Sequence, residues 1–265
     1  MDKVILLADK NSDAWGFAEK IQNYFIKEIR FFVPLEEVSV KKFRNGEIDM
    51  HVPENVRRKD VYLIHDSNKN PQEWWVELLL LKDLLLSASV DSISLVLPNM
   101  LYSRKDRKEK PHVPISARVL AKSISWGIKR IITMDLHAPQ IQGFYPENIP
   151  LDNLYSFPEV VKHLVEHKIG IEDLRNLVII SPDAGGVERA RAFAQRLNSK
   201  YPVAFIEKRR PVAGEIAEMR LVGDVQNKDV LIVDDLIDSG STLCKAADLL
   251  KKEGAKSVMC YGTHG

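Results

Sequence analysis

The sequence is poor in the features that mark secreted, membrane-spanning and nucleic-acid-binding proteins. Only two of its 265 residues are cysteines, Cys244 and Cys260. They form no CxxC or Cys/His pattern, so we expect free thiols in a reducing, cytoplasmic compartment. No apolar run reaches the ~18 residues that span a bilayer, and the N-terminal "MDKVILLADKNSD" predicts a buried strand rather than a signal peptide. The net charge of +1 lacks the basic excess of a nucleic-acid-binding protein. We therefore expect neither a membrane nor a nucleic acid as a partner.

Two common phosphate-binding motifs are also missing. The sequence contains neither GxxxxGK[ST], the P-loop, nor GxGxxG, the dinucleotide-binding fingerprint. A nucleotide, if one binds, must therefore be held by a different arrangement of residues. Apolar residues, in contrast, are plentiful at 45% of the total, and 28% of the residues are charged. This is the composition of a globular protein with a sizeable core.

Short apolar runs alternate with longer helical patterns along the chain. The runs are rich in β-branched residues and apolar on both faces, as buried parallel strands are. They lie at 4–8, 61–65, 92–98, 130–136, 177–182, 203–208, 230–235 and 257–262. The helical patterns occupy 14–28, 72–89, 114–126, 157–168, 186–198 and 241–253. This alternation predicts an α/β fold in which mainly parallel sheets are flanked by helices.

Prolines interrupt the middle of the chain, at positions 146, 150 and 158. We place a domain boundary there, which predicts one domain over 1–150 and a second over 151–265. In the first domain, Asn45-Gly46 is followed by alternating apolar and polar residues, which predicts a hairpin over 41–52. The helix at 72–89 is apolar nearly all round. That pattern predicts burial between a sheet and a second surface, and a subunit contact is compatible with it.

The most informative stretch is "VLIVDDLIDSGSTL", residues 230–243. Asp234 and Asp235 end an apolar strand, at the carboxyl edge where open α/β sheets bind ligands. Small residues then precede a helix whose first N–H groups and dipole favour a phosphate group. These small residues are Ser239, Gly240, Ser241 and Thr242. The acids suit hydroxyl groups, directly or through a cation, so the stretch fits a phosphorylated sugar such as ribose 5-phosphate.

An ordinary strand–helix turn is the alternative interpretation of this stretch. In that case Asp238 or Ser239 is simply the N-cap of the helix. Two adjacent carboxylates directly after a strand favour a binding site instead. Asp238 either joins that site or only caps the helix.

The same stretch resembles the phosphoribosyl-pyrophosphate motif of the phosphoribosyltransferase superfamily, and four further stretches resemble ribose-phosphate pyrophosphokinases in particular. They are "YSRKDRKEKPHVPISAR" (102–118), "ITMDLHAPQIQGFY" (132–145), "SPDAGGVERA" (181–190) and "EKRRP" (207–211). All occur in the order in which the family has them. The resemblance implies two phosphoribosyltransferase-like domains. It also implies transfer of the β,γ-diphosphoryl group of Mg-ATP to the 1-hydroxyl of ribose 5-phosphate, with AMP as the second product.

The resemblance assigns roles to residues of both domains. It implies that ATP is bound by Phe43, Asn45, Glu47, Arg104, Lys105, Asp106 and His137. It implies that His137 and Asp183 hold the Mg²⁺ that bridges the ATP phosphates. Ribose 5-phosphate is assigned to Asp234, Asp235, Asp238 and the run from Ser239 to Thr242. Lys208 and Arg210 become the catalytic pair on a flexible loop, where cations neutralise the charge of the transferred group.

The chain departs from the family pattern in four places. An FSDGE-like hairpin reads "FRNGE" here, and YARQDRK reads "YSRKDRK", so Asn45 and Lys105 bear on the choice of nucleotide donor. The family's N-terminal GNS segment reads "DKNSDAW" (9–15). The family also continues past the position of "YGTHG". We therefore expect its last strand and helix, with part of a regulatory phosphate/ADP site, to be missing from this sequence.

Three functions remain as hypotheses. The first is the diphosphokinase. The second is a non-catalytic, synthetase-like regulatory subunit, which the altered hairpin and the C-terminal difference would suit. The third is a phosphoribosyltransferase, which shares only the 230–243 motif. Retention of His137, Asp183, Lys208 and Arg210 favours the first. The resemblance also implies a homodimer that assembles into a hexamer, because the hairpin completes a neighbouring subunit's ATP site.

Overall fold

The computed structural model describes residues 3–167, 176–209 and 218–265. The chain divides into two units, Met1–Leu154 and Tyr155–Gly265, a few residues beyond the boundary placed at 150. Each unit has its own sheet and its own hydrophobic core. The predicted class, α/β with two mainly parallel sheets flanked by helices, is confirmed.

The first unit contains a seven-stranded sheet. Its strands are β1 (Val4–Asp9), β2 (Leu35–Lys42), β3 (Ile48–His51), β4 (Asp60–Ile64), β5 (Ser92–Leu97), β6 (Arg130–Met134) and β7 (Leu151–Leu154). Their order across the sheet is β3-β2-β1-β4-β5-β6-β7. All neighbours are parallel except β2 and β3, which form the predicted hairpin with Lys42 opposite Ile48. The four-residue β7 was not predicted, because "LDNL" is too short and too polar to resemble a buried strand.

Three α-helices flank this sheet. They are α1 (Asp13–Tyr24), α2 (Pro71–Ser87) and α3 (Ser116–Ile124). Helix α2 begins where the sequence leads one to expect, since Pro71 occupies its first turn and the Asn70 side chain accepts the N–H of Gln72. One face of α2 lies in the core, with Trp74, Leu78, Leu81 and Leu85 buried. Val76 and Leu80 are exposed on the same helix.

The second unit contains a five-stranded sheet. Its strands are β8 (Leu177–Ser181), β9 (Ala204–Arg209), β10 (Glu218–Val222), β11 (Asp229–Leu236) and β12 (Ser257–His264), in the order β10-β9-β8-β11-β12. Only β9 and β10 pair antiparallel. Strand β10 was not predicted, because "EMRLV" mixes charged and apolar residues. The sequence of 211–220 lacks a clear pattern and predicts a mobile flap, but residues 218–220 belong to β10. Arg210 and residues 211–217 lie outside the described residues.

Helices cover both faces of the second sheet. They are α4 (Phe157–His167), α5 (Val187–Arg196) and α6 (Ser241–Lys252). Leu164 of α4 and Phe193 of α5 pack on one face, and Ala246 of α6 packs on the other. Strands β8 and β11 are thus buried from both sides, which explains why their sequences are continuously apolar rather than alternating.

The first five strands of each sheet follow the same path. In each, the first strand is an interior strand, the second and third lie to one side and form a hairpin, and the fourth and fifth lie to the other side. The first sheet continues with β6 and β7 on that second side. The chain therefore changes direction between β1 and β4 in the first unit, and between β8 and β11 in the second. Such switch points leave a crevice at the carboxyl ends of the strands, where α/β proteins bind ligands. Within the described ranges, no helix has both the length and the apolar character that a membrane crossing requires.

Candidate functional site

The crevice of the second unit begins with an acid pair at the tip of β11. Asp234 and Asp235 lie at the carboxyl end of the strand, just before its last residue, as the sequence predicts. The backbone N–H of Asp235 donates to Asp234 Oδ1 at 2.9 Å, which holds the two carboxylates close together. Asp235 is buried, at 6% exposure. Burial and the neighbouring Asp235 raise the pKa of Asp234 to about 7, while the Arg189 guanidinium acts in the opposite direction.

Small residues connect this acid pair to α6. Gly240 has a φ of +70°, the left-handed region that glycine enters without strain, and α6 begins at the next residue. Ser239 Oγ and Ser241 Oγ lie 3.0 Å apart on the same turn. Glycine brings no side chain to cap the first N–H groups of the helix. The turn therefore presents backbone and hydroxyl donors of the kind that bind a phosphate group.

Asp183 lies at the tip of β8, the strand beside β11. Its Oδ1 accepts the backbone N–H of Gly185 at 2.9 Å and of Gly186 at 3.2 Å. The buried Ser181 hydroxyl donates to the carbonyl of Asp183 at 2.6 Å. These bonds orient the carboxylate so that Oδ2 turns outward. A β-carbon at position 186 would lie 2.7 Å from Ser181 Oγ, so glycine is needed there for space.

Lys208 approaches this outward oxygen from β9. Its Nζ lies 3.9 Å from Asp183 Oδ2. The structure thus brings together two residues that the sequence analysis selected from separate motifs. Arg210, the second residue of the predicted catalytic pair, lies outside the described residues.

Arg189 is a residue of this crevice that the sequence analysis did not select. From the first turn of α5, its Nη1 donates to Asp235 Oδ1 at 2.9 Å and lies 3.6 Å from Asp234 Oδ1. The stretch "SPDAGGVERA" contains Arg189, but nothing in the local sequence indicates that its partner lies 46 residues away.

The first unit carries the predicted ATP residues at three places. The tip of the β2–β3 hairpin is closed by a 2.8 Å bond from Phe43 N to Glu47 O and a 3.1 Å bond from Glu47 N to Asn45 Oδ1. Gly46 has a φ of +90° in this turn. The Phe43 ring is exposed beyond it. An exposed ring on a rigid turn can stack on a base.

The remaining predicted ATP-binding residues lie on the connections that follow β5 and β6. Lys105 Nζ pairs with Glu109 at 2.5 Å, and Asp106 accepts a 2.5 Å bond from Gln140 Nε2. Gln140 follows shortly after the exposed His137, so the structure brings Asp106 near the segment that carries His137. Arg104 lies on the same connection.

Asp135 follows β6 directly and lies two residues before His137. It adopts a φ of +44°, and its N–H donates to the carbonyl of Leu154 at 2.8 Å. Among the described residues, seven others that are not glycine also have a positive φ, so this conformation does not by itself mark Asp135 as a functional residue.

The donor atoms of the crevice suit magnesium chemically. Among the described residues, no three or more His, Cys, Asp or Glu side chains cluster closely enough to form a protein-only metal site. A carboxylate oxygen such as Asp183 Oδ2 is nevertheless the ligand type that Mg²⁺ prefers, and Mg²⁺ needs few protein ligands because it keeps several waters and binds substrate phosphates.

Comparisons with known proteins agree with this geometry. Residues 8–126 match the family model described as the N-terminal domain of ribose phosphate pyrophosphokinase, and residues 151–264 match the phosphoribosyl transferase domain. A ribose-phosphate pyrophosphokinase of Cereibacter sphaeroides is 45% identical over 88% of this chain and 68% of its own length. That of Agrobacterium fabrum is 43% identical over 88% and 73%.

A solved structure agrees as well. The phosphoribosylpyrophosphate synthetase of Mycobacterium smegmatis superposes with a TM-score of 0.83 at 32% identity, covering 99% of this chain and 81% of that one. The family that the sequence predicted is thereby confirmed, as is its character as a transferase. The chain belongs to the ribose-phosphate pyrophosphokinase family.

Proposed function

We propose that this protein transfers the β,γ-diphosphoryl group of Mg-ATP to the 1-hydroxyl of ribose 5-phosphate, producing 5-phosphoribosyl 1-diphosphate and AMP. The observation that carries the proposal is the crevice of the second unit. Two neighbouring strand tips there carry an acid pair beside a small-residue turn, and a carboxylate facing a lysine. The first set of groups fits a phosphorylated sugar, and the second fits a group that gains negative charge during transfer.

The acceptor side follows from the β11–α6 connection. The donors of Ser239, Ser241 and the first turn of α6 would bind the 5-phosphate, and Gly240 allows close approach. Asp234 and Asp235 would receive the ribose hydroxyls. Asp238 and Thr242 lie on the same connection and complete the proposed set.

The transfer step needs position and charge more than covalent help. The ribose 1-hydroxyl attacks the β-phosphorus of ATP, the bond from the α,β-bridging oxygen to that phosphorus breaks, and AMP leaves. Lys208 would neutralise the oxygens of the transferred group, and Arg210 is proposed for the same role. In the protein without ligand, Lys208 lies near Asp183, so the Lys208 ammonium group is at the carboxyl edge of the sheet.

Magnesium fits as the accompanying ion. When bound, it would supply charge neutralisation along the polyphosphate of ATP. Asp183 is proposed as one ligand because its Oδ1 is committed to two backbone N–H groups and Oδ2 is directed outward. His137 is the second proposed ligand, on the exposed connection after β6.

The donor side is proposed for the first unit. Phe43 would stack on the adenine, with Asn45 and Glu47 on the same hairpin turn. Arg104, Lys105 and Asp106 would face the polyphosphate from the connection after β5. We also propose a homodimer that builds a hexamer. Light scattering coupled to size-exclusion chromatography tests the proposed assembly, and a monomer of about 30.2 kDa would contradict it.

Formation of AMP tests the reaction. Purified protein is incubated with ATP, ribose 5-phosphate and MgCl₂, and AMP and phosphoribosyl diphosphate are separated by ion-pair chromatography. We expect both products in equal amounts, and neither when ribose 5-phosphate or magnesium is omitted. Absence of AMP from the complete mixture would remove the proposal and leave the non-catalytic regulatory subunit as the better hypothesis.

A further inference from the structure

Arg189 lies on a different element from the acid pair that it contacts. It belongs to the helix that follows β8, whereas Asp234 and Asp235 lie near the carboxyl end of β11. Strands β8 and β11 are parallel neighbours, with Ile180 opposite Ile232. The first turn of α5 therefore lies next to the tip of β11, and the Arg189 guanidinium spans the gap between them.

The negative charges of Asp234 and Asp235 are unfavourable in this position without the positive charge of Arg189. Asp235 is almost fully buried, and the backbone bond from its N–H to Asp234 Oδ1 brings a second carboxylate beside it. Two adjacent carboxylates repel, and a buried carboxylate without a cation is strongly disfavoured. Arg189 Nη1 supplies that cation at 2.9 Å from Asp235 and 3.6 Å from Asp234. Removing it would take away the charge that offsets their repulsion.

The loop before α5 connects Asp183 to Arg189. Its Gly186 is required by Ser181, because a β-carbon at position 186 would lie 2.7 Å from Ser181 Oγ, whereas its 3.9 Å distance from Arg189 Nη1 would be an ordinary contact. The segment from Asp183 to Arg189 thus places a charged side chain in the crevice at each of its ends. Asp183 faces Lys208 on one side, and Arg189 faces the acid pair on the other.

We propose that Arg189 is a positioning residue for ribose 5-phosphate, which holds Asp235 and, through it, the acid pair in the arrangement that receives the ribose hydroxyls. This inference rests on the proposed function. Arg189 acts through the carboxylates, because its guanidinium is committed to them in the protein without ligand. It therefore affects sugar binding selectively, and its charge matters more than its shape.

Substitutions at Arg189 test the proposal with a matched control. Arg189→Gln removes the charge, and Arg189→Lys keeps the charge but loses the planar fork. Arg191→Gln is the control, because Arg191 lies on the same helix, is exposed, and pairs only locally with Glu188 among its described contacts. Calorimetric titration gives the affinity for ribose 5-phosphate, and steady-state kinetics give the KM for each substrate and kcat.

We expect Arg189→Gln to weaken ribose 5-phosphate binding by about ten-fold or more, since it removes the Arg189 charge from beside a buried carboxylate. The KM for Mg-ATP should stay within about two-fold of the wild-type value. Arg189→Lys should recover part of the sugar affinity, and Arg191→Gln should match the wild type. Unchanged sugar affinity in Arg189→Gln, an equal rise in the KM for ATP, or a fall in kcat alone would each overturn the proposal.

Folding and the proposed reaction are checked separately. Circular dichroism reports whether Arg189→Gln folds. If it does not, Arg189→Lys decides, and equal KM changes for the two substrates would overturn the proposal. The titration needs no turnover. Wild-type protein that binds ribose 5-phosphate in an Arg189-dependent manner but forms no AMP would refute the reaction alone. If the wild type forms AMP normally and Arg189→Gln binds ribose 5-phosphate with unchanged affinity, only the positioning role is refuted.

Discussion

At the scale of single residues, oppositely charged side chains form two ion pairs at the carboxyl edge of the second sheet. Lys208 faces Asp183 across 3.9 Å, and Arg189 faces Asp235 across 2.9 Å. The two pairs differ in burial, because Asp235 is enclosed and Asp183 is exposed. An exposed ion pair is weak and easily replaced by contacts with a ligand, whereas a buried ion pair stays in place. Lys208 can therefore leave Asp183 to contact the substrate while the ion pair of Arg189 with Asp235 remains intact.

Replacing Lys208 should harm turnover much more than substrate binding. Its positive charge is needed chiefly when negative charge develops on the transferred group. For Lys208→Ala we expect kcat to fall by on the order of 10³, a size seen for cations in phosphoryl transfer. Steady-state kinetics with both substrates measure this, with the exposed Lys245→Ala of α6 as the control. A variant with wild-type kcat and a raised KM would contradict the role.

Asp234 gives the second unit a pH dependence whose sign can be stated. Its folded-state pKa is raised to about 7 by burial and by Asp235, above its ordinary value of 3.8. Between those two values the folded state holds a proton that the unfolded state has lost, so stability falls as pH rises through this window. Asp234→Asn should therefore raise the Tm at pH 8 and leave it unchanged near pH 4. Scanning calorimetry in metal-free buffer measures the difference. Parallel curves for variant and wild type across this range would rule the effect out.

At the scale of elements, much of the architecture could be predicted from the chain. Buried strands such as β8 and β11 are continuous apolar runs, and α2 is capped by Asn70 and begins with Pro71, so local patterns were sufficient there. Strands β7 and β10 were missed because edge strands bury little and need no apolar run. Contacts between elements, such as that of Arg189 with Asp235, follow from the order of strands in the sheet, which local patterns do not contain.

The turns between elements offer a contrast between two glycines. Gly240 has a φ of +70° and open space where a methyl group would lie, whereas Gly223 has a φ of +130° and a β-carbon there would lie 2.4 Å from Ala204 Cβ. Gly240→Ala should therefore cost about 1 kcal/mol of unfolding free energy, from backbone strain alone. Gly223→Ala adds a clash with the neighbouring strand and should cost clearly more. Urea unfolding of both variants measures this order, and a reversed order would be inconsistent with the described turns.

At the scale of the whole molecule, the two units have separate cores and should respond to acid in opposite directions. His65 of the first unit is 2% exposed, its Nε2 lies 2.9 Å from the carbonyl of Trp74, and burial lowers its pKa from 6.5 to about 4. The unfolded state therefore binds the extra proton first, and this unit loses stability as pH falls from about 6.5 to 4. Over much of the same range, protonation of Asp234 favours the folded second unit.

Hydrogen exchange with mass spectrometry can separate the two responses. After correction for intrinsic exchange rates, we expect peptides from β1, β4 and α2 to lose protection on going from pH 7.5 to 5. Peptides from β11 and α6 should keep or gain protection. His65→Gln should reduce the change in the first unit by about 2 kcal/mol, because roughly 1.5 pH units lie between the ordinary pKa of 6.5 and pH 5, and leave the second unit unaffected. A common loss of protection in both units, insensitive to this substitution, would argue against the assignment.

The shared path of the first five strands in each sheet has a consequence for ancestry. A single gene that was copied and fused in tandem would leave two scaffolds of one topology, free to diverge where the scaffold does not constrain them. The divergence is visible at the tip of the fourth strand, which continues as "DDLIDSGS" in one copy and as "HDSNKN" in the other. Under such a duplication, the order of the five shared strands would be kept while only the codons at the strand ends changed. A new specificity would then need only short, local genetic changes.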